Sequence, residues 1–128
     1  MSPVSLNKLS LKNYIKIIGE KEAERIQELA NKLAGKSVVH VSSTAFGGGV
    51  AEMLHHIVPL MNDVGLEAEW KVIKGEKEFF DVTKSFHNAL QGKIMPLTEG
   101  MKQTYLKYSK MNAELLDLDY DYVVIHDP

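Results

Sequence analysis

The stretch Val38 to Val64, VVHVSSTAFGGGVAEMLHHIVPLMNDV, restricts the fold of this chain more than any other part of it. A valine-rich run passes through small hydroxylated residues into three glycines and then into a long amphipathic segment. That order predicts a buried strand, a glycine loop and a helix that begins on the loop. A loop of this kind aims backbone N–H groups past the end of the strand. With the positive end of the helix dipole behind them, those groups suit an anion, above all a phosphate.

The surrounding pattern extends the unit. Leu9 to Ile18 and Lys21 to Leu33 read as two helices or one bent helix, stopped at Gly35. The loop helix is expected from about Val50 to Gly65, with a kink at Pro59. Leu66 to Ile73 alternates apolar with charged residues (Glu67, Glu69, Lys71) and reads as a second strand. Glu76 to Leu90 is a helix closed by Gly92, and Lys93 to Leu97 is a candidate short edge strand around Pro96. Thr98 caps a helix running to about Leu116. Asp117 to Asp121 forms a polar turn before a third strand, Tyr122 to Ile125. Strand, helix, strand, helices, strand is the signature of an α/β fold with a parallel sheet. Residues 1–36 are expected to form a helical N-terminal arm, and 37–128 the first part of a Rossmann-like domain. The sequence stops directly after the third strand, where a doubly wound sheet would continue.

Composition narrows the function classes. The 128 residues are 45% hydrophobic and 25% charged, with a formal net charge of −2. Apart from Arg25 the basic residues are lysines spread along the chain, so no stripe for nucleic acid is present. No cysteine occurs, which excludes disulfides, thiol catalysis and Cys-ligated zinc. No segment is apolar and long enough to cross a bilayer, and a cytoplasmic location is expected.

Candidate sites follow from position. Phe46-Gly47-Gly48-Gly49-Val50-Ala51-Glu52 fails the dinucleotide fingerprint, because Glu52 stands where the third glycine belongs. The second strand ends Val72-Ile73-Lys74-Gly75 and lacks the carboxylate that would hold a ribose. No Lys-Ser/Thr pair follows the glycines, so a Walker loop is excluded as well. A phosphate or sugar role at Gly47, Gly48, Gly49 and Val50 competes with a turn that merely lets helix and strand pack closely. His40, among valines, reads as a hydrogen-bonded core histidine. His55 and His56 are adjacent on the helix and cannot share a metal; both are assigned to the polar face. Asp117, Asp119 and Asp121 imitate a calcium loop, but Tyr122 replaces its glycine and no glutamate closes it. No metal or other cofactor is therefore expected. His126 and Asp127, directly after a strand expected to be buried, stand at the crevice edge. There an Asp can accept from sugar hydroxyls, and a His can donate or accept.

Three motifs carry a family resemblance. They are Val39-His40-Val41-Ser42-Ser43-Thr44-Ala45-Phe46-Gly47-Gly48-Gly49-Val50-Ala51-Glu52, the run Phe79 to Gly92 containing Ser85-Phe86-His87-Asn88, and Val124-Ile125-His126-Asp127-Pro128. In order and in detail the chain resembles the archaeal and bacterial trehalose glycosyltransferring synthases, which are retaining GT-B enzymes related to trehalose phosphorylases. The resemblance implies a GT-B N-terminal domain and transfer of glucose from NDP-glucose to glucose without a metal. It places the donor phosphates at Gly47 to Val50 and acceptor-sugar contacts at His126 and Asp127. His87 and Asn88 fall in the second motif and are expected at the acceptor. The family is roughly three times as long, the size of two domains plus a linker. This chain alone is then expected to be inactive and to self-associate through exposed strand edges. The alternatives are a phosphorylase or other GT-B fragment, or a non-catalytic α/β binding or assembly module.

Overall fold

The computed structural model describes residues 3–126. A 3-10 turn, Leu11–Tyr14, leads into α1 (Ile15–Ile18) and α2 (Glu20–Asn31). Then come β1 (Ser37–Ser42), α3 (Gly49–Asp63), β2 (Glu67–Val72), α4 (Lys77–Leu90), α5 (Glu99–Leu115) and β3 (Tyr122–Ile125). The strands form one parallel sheet in the order β2-β1-β3. The fold is α/β, a small parallel sheet with helices as in part of a Rossmann-like domain, and a helical arm precedes it.

Parity explains the core. In the β1–β2 register, Val38 faces Ala68, His40 faces Trp70 and Ser42 faces Val72. Alternation therefore sends Val38, His40, Ser42, Ala68 and Trp70 to one face of the sheet. α3 lays Ala51, Leu54 and Val58 on that face, and these join Val38, Ala68 and Trp70 in the hydrophobic core. Trp70, Leu54, Val39 and Val58 are the largest fully buried side chains. Truncating Leu54 to alanine would cost about 2–5 kcal/mol through lost burial and the cavity left behind. On the α4–α5 pair, Phe79 packs against Phe80, Tyr105 and Tyr108.

The two sheet edges differ. Along β2, the Asn62 side chain donates to the Ala68 carbonyl at 2.9 Å and accepts from the Ala68 N–H at 2.7 Å. One step on, the Val4 N–H donates to the Trp70 carbonyl at 2.8 Å. This edge is covered by the arm and by α3. β3 is the other edge and all four of its residues are exposed. Its start is pinned to β1, where the Asp121 carboxylate accepts from the Ser37 N–H (2.9 Å), the Ser37 hydroxyl (3.1 Å) and Lys36 Nζ (2.7 Å).

Several expectations need correction. β3 itself is not buried, because it has a strand on one side only and both faces stay accessible. Lys93 to Leu97 is irregular rather than a strand: Ile94 is 98% exposed, and Pro96 has no N–H for a ladder. The first predicted helix is reduced to a 3-10 turn and the four residues of α1. Lys71 does not face solvent; it is buried, with Nζ donating to the Asp117 carbonyl at 2.8 Å and lying over the Tyr120 ring.

Candidate functional site

The loop between β1 and α3 is held from below. Trp70 Nε1 donates to Ser42 Oγ at 2.8 Å, and Ser42 Oγ donates to the Thr44 carbonyl at 3.1 Å. Thr44 Oγ1 in turn donates to the Phe46 carbonyl and accepts from the Phe46 N–H, at 2.8 and 3.1 Å. His55 Nε2 meets the Ala45 carbonyl at 3.0 Å, and its ring stands edge-on to Trp70. His55 is thus half-buried beneath the loop, contrary to its assignment to the polar face. His56 does sit on that face, exposed, with Nδ1 at 2.9 Å from the Glu52 carbonyl.

Above this scaffold the loop glycines stand in open space. Gly47 and Gly48 have φ of 74° and 80°, a region that disfavours other residues. A Cβ placed on Gly47, Gly48 or Gly49 would meet nothing within 4 Å, so the turn-for-packing alternative does not describe them. Gly49 has neither a positive φ nor a close neighbour. Gly48 is the N-cap of α3 and supplies no capping side chain. The first N–H groups of the helix therefore receive no side-chain cap, where Ser, Thr or Asp would ordinarily provide one.

At the carboxyl ends of the strands lies a cavity of about 250 Å³. Val41, Ser42 and Ser43 border it from β1, Ile73 from the end of β2, and Ile125 and His126 from β3. Phe79 and Thr83 of α4 and Tyr105, Ser109 and Asn112 of α5 complete the wall. A second opening, about 480 Å³, runs under Thr44 and Ala45 beside Lys74, Phe80 and Tyr108, and the two share Ser43 and Ile73. The structure thus joins the root of the glycine loop to His126. Open α/β folds hold ligands at this end of the sheet.

His126 is anchored at both ends. Its N–H donates to the Val41 carbonyl at 2.8 Å, and its Nε2 lies 2.9 Å from Nδ1 of His40. The two rings meet edge to edge, with centroids 5.2 Å apart and planes 20° from parallel. His40 is the hydrogen-bonded core histidine expected of it, 5% exposed, with Nε2 at 3.4 Å from Met61 Sδ. Burial, and secondarily the neighbouring His126, hold its pKa below the ordinary histidine value. Asp127 lies outside the described residues. His87 and Asn88 sit further along α4, one turn beyond Thr83, and His87 Nε2 approaches Gln91 Nε2 at 3.0 Å. Neither borders the cavity described above. Asp121 serves the β1–β3 lock, and Asp119 N donates to Asp117 Oδ1 in a local turn. Among the described residues, no group of three or more His, Asp or Glu is arranged to hold a metal ion, and no helix is long and apolar enough to cross a membrane.

Asn112 had no sequence signal beyond its place on α5. Its Oδ1 accepts from the Lys74 N–H at 2.7 Å, while its Nδ2 donates to the Lys74 and Tyr108 carbonyls at 2.7 and 2.9 Å. The His40–His126 pair follows from the strand register. With β1 and β3 parallel and His40 opposite Val124, His126 falls two residues on and therefore on the same face.

Comparison with known proteins agrees with this architecture. The family described as trehalose synthase, N-terminal domain, matches residues 40–128. Over 97% of its length the chain is 56% identical to a trehalose synthase of Pyrococcus horikoshii, covering 30% of that protein. It is 60% identical to a trehalose synthase of Thermococcus litoralis over 92% of the chain and 29% of the relative. A trehalose phosphorylase of Pleurotus pulmonarius is 30% identical over 92% of the chain and 18% of its own length. The chain thus spans about 30% of the length of the synthases it matches. The matched span takes in the second half of β1, the glycine loop, the wall of the cavity and His126, and by it the chain belongs to the trehalose synthase N-terminal domain family.

Proposed function

We propose that this chain supplies the acceptor side of a retaining glucosyltransferase cleft, in which glucose passes from an NDP-glucose to free glucose to form trehalose in the cytoplasm. The observation that carries the reading is the cavity at the carboxyl ends of three parallel strands, bordered by His126 and by Ser42 and Ser43 at the root of the glycine loop. In this reading the N–H groups of Gly47 to Val50 face the donor's diphosphate, where a helix start without a side-chain cap favours negative charge. His126 and Asp127 take hydroxyls of the acceptor sugar. His87 and Asn88 are assigned to the acceptor by sequence likeness alone.

Leaving-group stabilisation is the main electrostatic demand of such a transfer. Among the described residues, Lys74 is the one lysine or arginine bordering the two openings, and the synthases extend over more than twice the length matched here. The chain alone is therefore a half-site that binds without turning over, and its open β3 edge is the surface through which copies associate. Titration with trehalose, glucose and UDP followed by NMR is expected to shift signals at Gly47 to Val50 and at His126. Silence at both places would sink the assignment. A coupled assay of NDP release from NDP-glucose with glucose present should show no sustained rate, and sustained release would disprove inactivity. The likeness to a trehalose phosphorylase supports a second reading. Under it, loop signals would respond to inorganic phosphate with trehalose and not to UDP.

A further inference from the structure

The ring nitrogens of His40 and His126 are committed in an order that fixes where the protons sit. A thioether sulfur can only accept, so at the 3.4 Å contact with Met61 Sδ the His40 Nε2 is the donor. His40 is buried and its pKa is lowered, so the ring is neutral and carries that one N–H. Its Nδ1 is then a bare lone pair. The partner at 2.9 Å, His126 Nε2, must supply the hydrogen. An uncharged His126 with its proton on Nε2 keeps Nδ1 as an acceptor.

We propose that His40 is a positioning residue that locks His126 in its Nε2–H form, so that the nitrogen left for a ligand accepts a hydrogen bond and selects a hydroxyl over a phosphate or carboxylate oxygen. The in-plane hydrogen bond between the nearly coplanar rings fixes the plane of His126, and the Val41 carbonyl fixes its backbone. The chain Met61–His40–His126 therefore passes one proton preference from the core to the crevice. Identifying the hydroxyl as a sugar's rests on the proposed function; the lock itself does not.

Long-range proton–nitrogen correlation on the labelled chain at about pH 8, where free imidazole is neutral, reads the tautomers directly. His126 is expected with Nε2 protonated and Nδ1 bare. A dominant Nδ1–H form would overturn the proposal. In His40→Leu the share of Nδ1–H at His126 should rise about fivefold or more, one hydrogen bond's worth of bias. His40→Asn should restore the preference, since its carbonyl oxygen can accept in place of Nδ1. An unchanged tautomer in a folded His40→Leu would also overturn it. Should that variant not fold, the wild-type tautomer decides alone. A glucose titration separates the two ideas. The Nε2–H form without a response to glucose removes the sugar role and leaves the lock, whereas a response with Nδ1–H dominant does the reverse.

Discussion

Gly48 and Gly49 stand side by side in the loop and answer to different constraints. Gly48, at φ 80° and ψ 159°, occupies a region that is almost closed to other residues, and Gly48→Ala should destabilise the protein by about 1–3 kcal/mol in thermal or urea denaturation. Gly49 has ordinary φ and open space where a Cβ would go. Gly49→Ala should therefore leave stability within about 1 kcal/mol of wild type, or raise it, as alanine favours the helix. A large loss there would mean that the loop is strained in a way its dihedrals do not express. Two further residues contribute to the response to acid. His40 has a folded pKa below its ordinary 6.5, so below that pH the unfolded chain takes up a proton that the folded one resists. Its contribution to stability is complete above about pH 6.5 and falls as the pH drops below it. Asp121 is held down to about 2 by Lys36 and the two Ser37 donors, so its contribution is present above 3.8 and lost as the pH falls toward 2. Urea midpoints measured against pH should show both declines, the first missing in His40→Asn and the second in Asp121→Asn. At this scale the site was half legible. The glycines and His126 announce themselves by position, whereas the link from His40 to His126 depends on which strand is central. That is a long-range choice no local pattern encodes.

Helix and strand positions followed from periodicity where burial is one-sided. α3 begins and ends within two residues of its expected limits, because its apolar face meets the sheet along its whole length. Expectation failed where an element lacked a neighbour, at Lys93 to Leu97, and where a charged residue found one. The alternation of β2 sent Lys71 outward, but the Asp117 carbonyl and the Tyr120 ring take in its ammonium group. Between elements, Asn112 clasps Lys74 at the exit of β2 and ties α5 to it beside the cavity. Asn112→Leu is similar in size but leaves the Lys74 N–H and carbonyl without that partner. A loss of about 2–3 kcal/mol is expected by equilibrium denaturation. A change under 0.5 kcal/mol would show that water replaces the amide at little cost.

For the molecule as a whole, the two sheet edges are unequal. β2 is closed by Asn62 and Val4, while β3 offers unpaired backbone along an exposed strand that carries Val123 and Ile125. Association through β3 is expected by light scattering at high concentration, and Val123→Pro, which removes an edge donor, should weaken it. A stable monomer throughout would refute the proposal. The lock between Ser37 and Asp121 also has a kinetic meaning. These residues are 84 positions apart, whereas β1 reaches β2 across a single helix. Closing the longer loop costs more entropy before any contact rewards it, so β3 should dock last during folding and leave first during fluctuations. Amide hydrogen exchange should accordingly be faster in β3 than in β1 and β2. The glycine loop would then be in place, on its Trp70 scaffold, for longer than His126 is beside it, so the two halves of the crevice have different lifetimes within one fold.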